Sequence, residues 1–147
     1  VVAGAGREMP ALRAQAAALG VAEAVCFLGE IHDVPALLPL CEIGALVPIR
    51  NEGLSNTILE YMAAGLPTLA TDCGGNRELV QDGITGRLVA ESADFTVVAA
   101  AWACLLRDRP RAKAMGAAGR EYVVNRHARA PVLERFRRFY ESLGRLA

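Results

Sequence analysis

No apolar run in this chain reaches the roughly 18 residues that a membrane-spanning helix needs, and no charged-then-apolar leader opens it. Nor is there excess charge: 16 Lys+Arg balance 16 Asp+Glu. That balance argues against a disordered acidic chain and a wholly basic nucleic-acid binder, so nucleic acid is not an expected partner. No Cys-x-x-Cys pair occurs. Cys26, Cys41, Cys73 and Cys104 stand apart, and His32 and His127 show no ligand spacing with them. The expectation is reduced thiols in a cytoplasmic setting, with no metal and no disulfide. Cys73, in the loop before Gly74-Gly75, is the one thiol expected to be accessible. There is no initiator Met, and Val1 opens inside an apparent strand, so a fragment of a longer protein is expected.

What is present is 53% hydrophobic residues over 147 positions. A chain of this size suits one domain and buries about two thirds of its unfolded surface. Its elements alternate. Strands are expected at Val1–Ala5, Ala24–Leu28, Ile43–Pro48, Pro67–Thr71 and Arg87–Ala90. Helices are expected at Pro10–Leu19, from an Asp33 cap to about Cys41, at Ser55–Ala64 and at Asn76–Gln81. This spacing predicts an α/β fold with a Rossmann-like, doubly wound parallel sheet. Ligands of such sheets lie at the carboxyl ends of the strands. From residue 93 the chain turns helical, with Phe95, Val98, Ala99, Trp102, Leu105 and Leu106 on one apolar face. Two more helices are expected at Arg109–Asn125 and Pro131–Leu146.

The chain turns on Arg50-Asn51-Glu52-Gly53-Leu54-Ser55-Asn56-Thr57-Ile58-Leu59-Glu60. A buried strand leads into a short polar loop and then a helix, with Ser55 as N-cap and Gly65, followed by Pro67, as its stop. A helix start offers unpaired N–H groups and partial positive charge, which suits phosphate. Two carboxylates frame it. Glu52 and Glu60 are eight positions apart, a spacing on the order of 12 Å along a helix. Carboxylates suit hydroxyl pairs rather than phosphate. Acids on either side of an anion cradle therefore fit a nucleotide sugar, with hydroxyls at both ends of a diphosphate. Glu60 also lies among apolar neighbours, where a lone carboxylate needs a partner. The plainer alternative is a solvated loop acid and a surface helix acid. Gly4-x-Gly6 after the first strand is a common turn and lacks the third glycine of a dinucleotide fingerprint, since Met9 stands there.

The segment from Pro48 to Val80 resembles the C-terminal, donor-binding half of group 1 retaining glycosyltransferases with the GT-B fold. Glu52, Glu60, Met62, Ala63, Gly65 and Pro67 match that family's run. Further matches are Val2-Ala3-Gly4-Ala5-Gly6, Phe27-Leu28-Gly29, Asp33-Val34-Pro35, Gly74-Gly75-Asn76-Arg77-Glu78 and Asp82-Gly83-Ile84-Thr85-Gly86. The resemblance implies one nucleotide-sugar-binding domain over residues 1–147, with 93–147 a helical extension and an N-terminal acceptor domain elsewhere. It implies sugar transfer from a nucleotide-diphosphate donor to a glycan, lipid-linked or small-molecule acceptor. Glu52 would accept hydroxyls of the transferred sugar, and backbone amides of Gly53, Leu54, Ser55, Asn56 and Thr57 would hold the diphosphate. Glu60 would accept the ribose hydroxyls, Gly4 would allow close approach of backbone to the donor, and the backbone at Ile31 would meet the base. No protein nucleophile, cofactor or metal is implied.

The family also supplies an Arg and a Lys from a loop upstream of Val1. Here only Arg7 and Arg50 are candidate substitutes, so the isolated chain is expected not to turn over and to bind nucleotide weakly. Other readings are a sugar epimerase, a phosphorylase, or a non-catalytic nucleotide-binding or interaction module. The only lysine, Lys113, is far from the loop edge, which disfavours a pyridoxal-bearing phosphorylase. Residues 107–147 hold 11 Lys+Arg and 4 Asp+Glu, net +7. The bland explanation is solvated helix faces. The sharper one is peripheral contact with an anionic membrane at its inner face, where a lipid-linked acceptor would lie.

Overall fold

The computed structural model describes residues 1–48 and 53–143. It divides into two compact units, Val1–Leu37 and Leu38–Ala147. The first holds β1 (Val2–Ala3), α1 (Met9–Ala18), β2 (Phe27–Gly29) and α2 (Val34–Leu37). β1 and β2 run parallel, with Val2 opposite Phe27. Arg13 ties α1 to β2, its guanidinium 4.8 Å from the Phe27 ring centre and 3.2 Å from the Phe27 carbonyl. Asp33 Oδ1 accepts from the Ala36 amide at 3.0 Å, as expected of the cap before α2.

The second unit holds β3 (Gly44–Leu46), α3 (Asn56–Ala63), β4 (Thr68–Asp72), α4 (Asn76–Leu79), β5 (Gly86–Ala90), α5 (Phe95–Arg107), α6 (Arg109–Arg126) and α7 (Arg129–Leu143). Its sheet is parallel, in the order β3-β4-β5. The strand–helix alternation and parallel pairing are those read from the sequence, although the pairing falls into a two-stranded and a three-stranded sheet.

β4 is the middle strand, and Thr68, Leu69, Ala70 and Thr71 are all buried. Alternate residues serve opposite faces. On one face Ala70 meets Ile58 and Met62 of α3, Leu79 and Val80 of the α4 end, and Val123 of α6. On the other, Leu69 and Val89 meet Leu105 of α5 with Ala112 and Met115 of α6. Ile58 and Met62 are one helical turn apart and fully buried, worth roughly 1.5–3 kcal/mol each in apolar transfer.

α3 stops as its sequence predicts. Gly65, at φ 77°, donates to the Met62 carbonyl at 2.9 Å, and Leu66 donates to Tyr61 at 3.0 Å. This pair of bonds is a Schellman stop, which needs the left-handed conformation that glycine adopts cheaply. α6 then packs on the stop. A Cβ at Gly116 would strike the Gly65 carbonyl, and Arg120 donates to the Ala63 carbonyl at 2.5 Å. α6 also holds α4, through a 2.8 Å bond from the Tyr122 hydroxyl to the Glu78 carbonyl.

The structure corrects two expectations, the exposure of Cys73 and the length of the second strand. Along the apolar face of α5, Leu105 is in the core, while Phe95 is 83% and Trp102 38% exposed. Phe95, Trp102 and Leu106 line, with Val47 and Pro48, an apolar cavity of about 590 Å³. Cys73 is buried, and the exposed thiols are Cys26 and Cys104. The 24–28 strand is shorter, because Ala22–Ala24 forms a 3-10 turn and pairing begins at Phe27. Among the described residues no helix is long and apolar enough to cross a membrane.

Candidate functional site

The start of α3 sits at the carboxyl edge of the three-stranded sheet, after β3. Ser55 is buried, with extended backbone, and its Oγ accepts from the Ile58 amide at 3.4 Å. That bond satisfies one of the donors a helix start leaves over. Gly53, Leu54 and Asn56 are exposed, and Thr57 is half-buried. The segment from Gly53 to Thr57 therefore forms a largely exposed helix entrance around the buried Ser55, a kind of helix start that suits an anion.

Glu60 belongs to the exposed stripe of α3, one turn on from Asn56. This overturns the premise of a carboxylate in a buried setting: α3 buries the Ile58/Met62 stripe, and Glu60 lies off it. Among the described residues Glu60 has no hydrogen-bond or ion-pair partner. An exposed acid one turn inside a helix entrance can accept a hydroxyl pair from a ligand seated there. Glu52 and Arg50 lie outside the described residues.

Tyr61 braces the other side of α3. Gly44 of β3 gives its ring room, because a Cβ there would collide with the ring. Its hydroxyl donates to the Ala45 carbonyl at 3.4 Å. Burial, then the neighbouring Cys41 and Glu60, raises the phenol above its ordinary value, so it stays a neutral donor.

The loop after β4 closes over the same entrance. The Gly75 amide donates to the Gly53 carbonyl at 3.3 Å, and a Cβ at Gly75 would lie 2.9 Å from that oxygen. Gly75 is thus where backbone approaches backbone too closely for a side chain. Sequence reasoning passed over Thr71 and treated Asn76 only as a motif member. The fold places both behind this loop: Thr71 Oγ1 donates to the Pro48 carbonyl at 2.7 Å, and Asn76 is fully buried. No local signal marks Thr71, whose partner Pro48 lies 23 positions away; Asn76 bonds within its own turn, to the Thr71 carbonyl five positions back.

Gly4 and Ile31 belong to the first unit. Gly4 is exposed at φ 131° and donates to the Gly29 carbonyl at 2.7 Å. Ile31 is half-buried, and His32 is exposed. Arg7 pairs with Glu8 at 3.3 Å on the surface. Among the described residues no group of three or more His, Cys, Asp or Glu is placed to hold a metal.

The chain is 42% identical over 133 residues, 84% of its length, to a GDP-mannose-dependent alpha-(1-6)-phosphatidylinositol monomannoside mannosyltransferase of Mycobacterium tuberculosis, and covers 34% of that protein. It superposes on HepE of Anabaena, solved in complex with UDP, with a TM-score of 0.82 at 24% identity, covering 97% of this chain and 39% of that one. On the C-terminal domain of a group 1 family glycosyl transferase, LpcC, from Francisella tularensis, the TM-score is 0.72 at 21% identity, covering 82% of this chain and 63% of that one. The fold is thus that of one half of a GT-B enzyme. The chain spans about a third of the length of the curated relatives it matches. The family profile covers residues 1–108, and with it the α3 entrance and the turn that closes on it: the chain belongs to the glycosyl transferases group 1 family.

Proposed function

We propose that this chain is the donor-binding part of a retaining glycosyltransferase, which moves a sugar from a nucleotide-diphosphate donor to a glycan, lipid-linked or small-molecule acceptor. The observation that carries this is the accessible start of α3, capped by Ser55 and followed one turn later by the exposed Glu60. Amides of Gly53, Leu54, Ser55, Asn56 and Thr57 hold the diphosphate. Glu60 accepts the ribose hydroxyls, and Glu52 the hydroxyls of the transferred sugar. In the same reading Gly4 allows close approach of backbone to the donor, and the backbone at Ile31 meets the base.

In the transfer step the bond between the sugar and the diphosphate breaks, and negative charge grows on the departing oxygen. Fixed N–H donors at a helix start stabilise that charge more than they stabilise the bound donor, which lowers the barrier. The leaving phosphate takes the proton of the incoming hydroxyl on the same face of the sugar, so configuration is retained without a protein nucleophile. No metal takes part in this reading. The matched relatives named as mannosyltransferases and the HepE complex with UDP support a nucleotide-sugar donor of this type. An N-terminal domain outside these residues would bind the acceptor.

The test is Glu52→Ala and Glu60→Ala in the full-length enzyme. Each is expected to lower kcat/KM on the order of a hundredfold, the size of losing one transition-state contact. If both retain normal transfer, the site is misassigned, and a non-catalytic binding module or a GT-B-like sugar epimerase gains ground.

A second element of the proposal concerns location: a cytoplasmic protein in peripheral contact with an anionic membrane. α7 favours it. Leu133, Phe136, Phe139, Tyr140 and Leu143 are all exposed on a helix that also carries Arg129, Arg135, Arg137 and Arg138. Such a helix lies in a membrane interface with its apolar face down. Co-sedimentation of the full-length protein with phosphatidylserine vesicles, reversed by salt, is the expected result. No binding to anionic vesicles would remove the idea.

A further inference from the structure

We infer that the β4–α4 turn positions the diphosphate-holding entrance of α3, with Thr71, Gly75 and Asn76 as positioning residues; the inference rests on the donor-binding role proposed above. Pro48 and Gly53 are the described residues on either side of positions 49–52, and this one turn bonds to both. Thr71 Oγ1 donates to the Pro48 carbonyl at 2.7 Å, with Cys73 Sγ 3.9 Å from the same oxygen. The Gly75 amide donates to the Gly53 carbonyl at 3.3 Å. A Cβ at position 75 would also lie 3.4 Å from Leu54 Cα, so the turn rests directly on the backbone that leads into Ser55.

Asn76 fixes the turn from behind. It is wholly buried, and its Nδ2 donates to the Thr71 carbonyl at 3.0 Å and lies 3.7 Å from Cys73 Sγ. Its Oδ1 has no hydrogen-bond partner among the described residues. Burying an amide oxygen unpaired is costly. The site tolerates it where the Nδ2 bond holds the Thr71 carbonyl, and with it the rotation of the strand end that presents the Thr71 hydroxyl. The linkage runs from Asn76 to Thr71 to Pro48 on one flank, and from Gly75 to Gly53 on the other. None of these side chains needs to touch the donor. They set where the amides of Gly53 to Thr57 stand, and charge stabilisation by fixed donors is lost when they are displaced by fractions of an ångström.

The experiment is a pair of substitutions in the full-length enzyme. Thr71→Val keeps the volume and removes the hydroxyl; Thr71→Ser keeps the hydroxyl and removes a methyl. In Thr71→Val, kcat is expected to fall about tenfold while KM for the nucleotide sugar moves less than about threefold. Amide hydrogen exchange over residues 53–58 should quicken in that variant. Thr71→Ser should keep near-normal kcat and slow exchange, although its lost methyl also lowers Tm, with kcat in both variants measured well below Tm. A merely structural role predicts near-normal kcat in both variants at that temperature, and that result would overturn the inference. So would normal kcat and unchanged exchange in Thr71→Val, which would leave the donor site assignment standing. A wild-type enzyme that used no nucleotide sugar would sink the donor assignment, and the catalytic role of the turn with it, even if exchange over 53–58 still quickened in Thr71→Val.

Discussion

α3 and α7 are both amphipathic helices, and they end in opposite situations. α3 places Ile58 and Met62 at zero exposure against β4, and α6 covers its stop. α7 carries a longer apolar stripe, from Leu133 to Leu143, and every member of it is more than two fifths exposed. α7 carries exposed ion pairs along its own length, Glu134 with Arg137 and Arg138 and Arg137 with Glu141, and Arg135 donates to the Arg126 carbonyl of α6. Hydrophobic periodicity states which face seeks burial and is silent on whether a partner stands opposite. For α3 the partner is a sheet in the same unit. For α7, among the described residues, it is mainly the end of α6.

The comparison breaks most readily at Met62. Met62→Ala should destabilise the 147-residue chain by about 2–5 kcal/mol in urea unfolding, the cost of a core cavity. Phe136→Ala on α7 should stay within about 0.5 kcal/mol. Equal costs at the two positions would mean that the α7 stripe is buried in solution. Ser55→Ala comes next, at about 1 kcal/mol for the lost cap. It should also weaken nucleotide diphosphate binding by the full-length protein, whereas a capping loss on a helix away from the site would not.

The smallest effect lies in the charges of α7. Hydrogen bonds from Arg137 and Arg138 hold the Glu134 carboxyl at about 2, below its usual 4.5. A depressed carboxyl contributes stability above the unfolded value and loses it as pH falls from about 4.5 through about 2. The pair is exposed, so the change is slight. Helicity measured by circular dichroism should fall more steeply over that window in the parent chain than in Glu134→Gln. Identical acid profiles would show that these ion pairs do not hold α7.

The local signals were legible in the sequence. Ser55 before an apolar-periodic segment, and Gly65 ahead of Pro67, fix the two ends of α3 through local capping chemistry. The order of strands and helices follows from alternating periodicity. What was not legible is tertiary. Glu60 has apolar neighbours in sequence, yet the helix turns it away from Ile58 and Met62. Cys73 sits in a loop, where exposure is the ordinary expectation, but Thr71, Asn76 and Pro48 enclose it. Phe95 and Trp102 share the helical spacing of Leu105 and still lie over a cavity rather than in the core. The partners of Thr71 and Gly75 lie 23 and 22 positions away, beyond any local pattern.

The central claim is that the α3 entrance and Glu60 together grip a nucleotide diphosphate. Calorimetric titration of the full-length protein with uridine, guanosine and adenosine diphosphates, repeated on Glu60→Ala, tests it most directly. At least one nucleotide should bind the wild-type protein, and Glu60→Ala should weaken that binding about tenfold or more, as expected for losing charge-assisted bonds to two hydroxyls. Binding of none of the three, or equal affinity in the variant, would contradict the account.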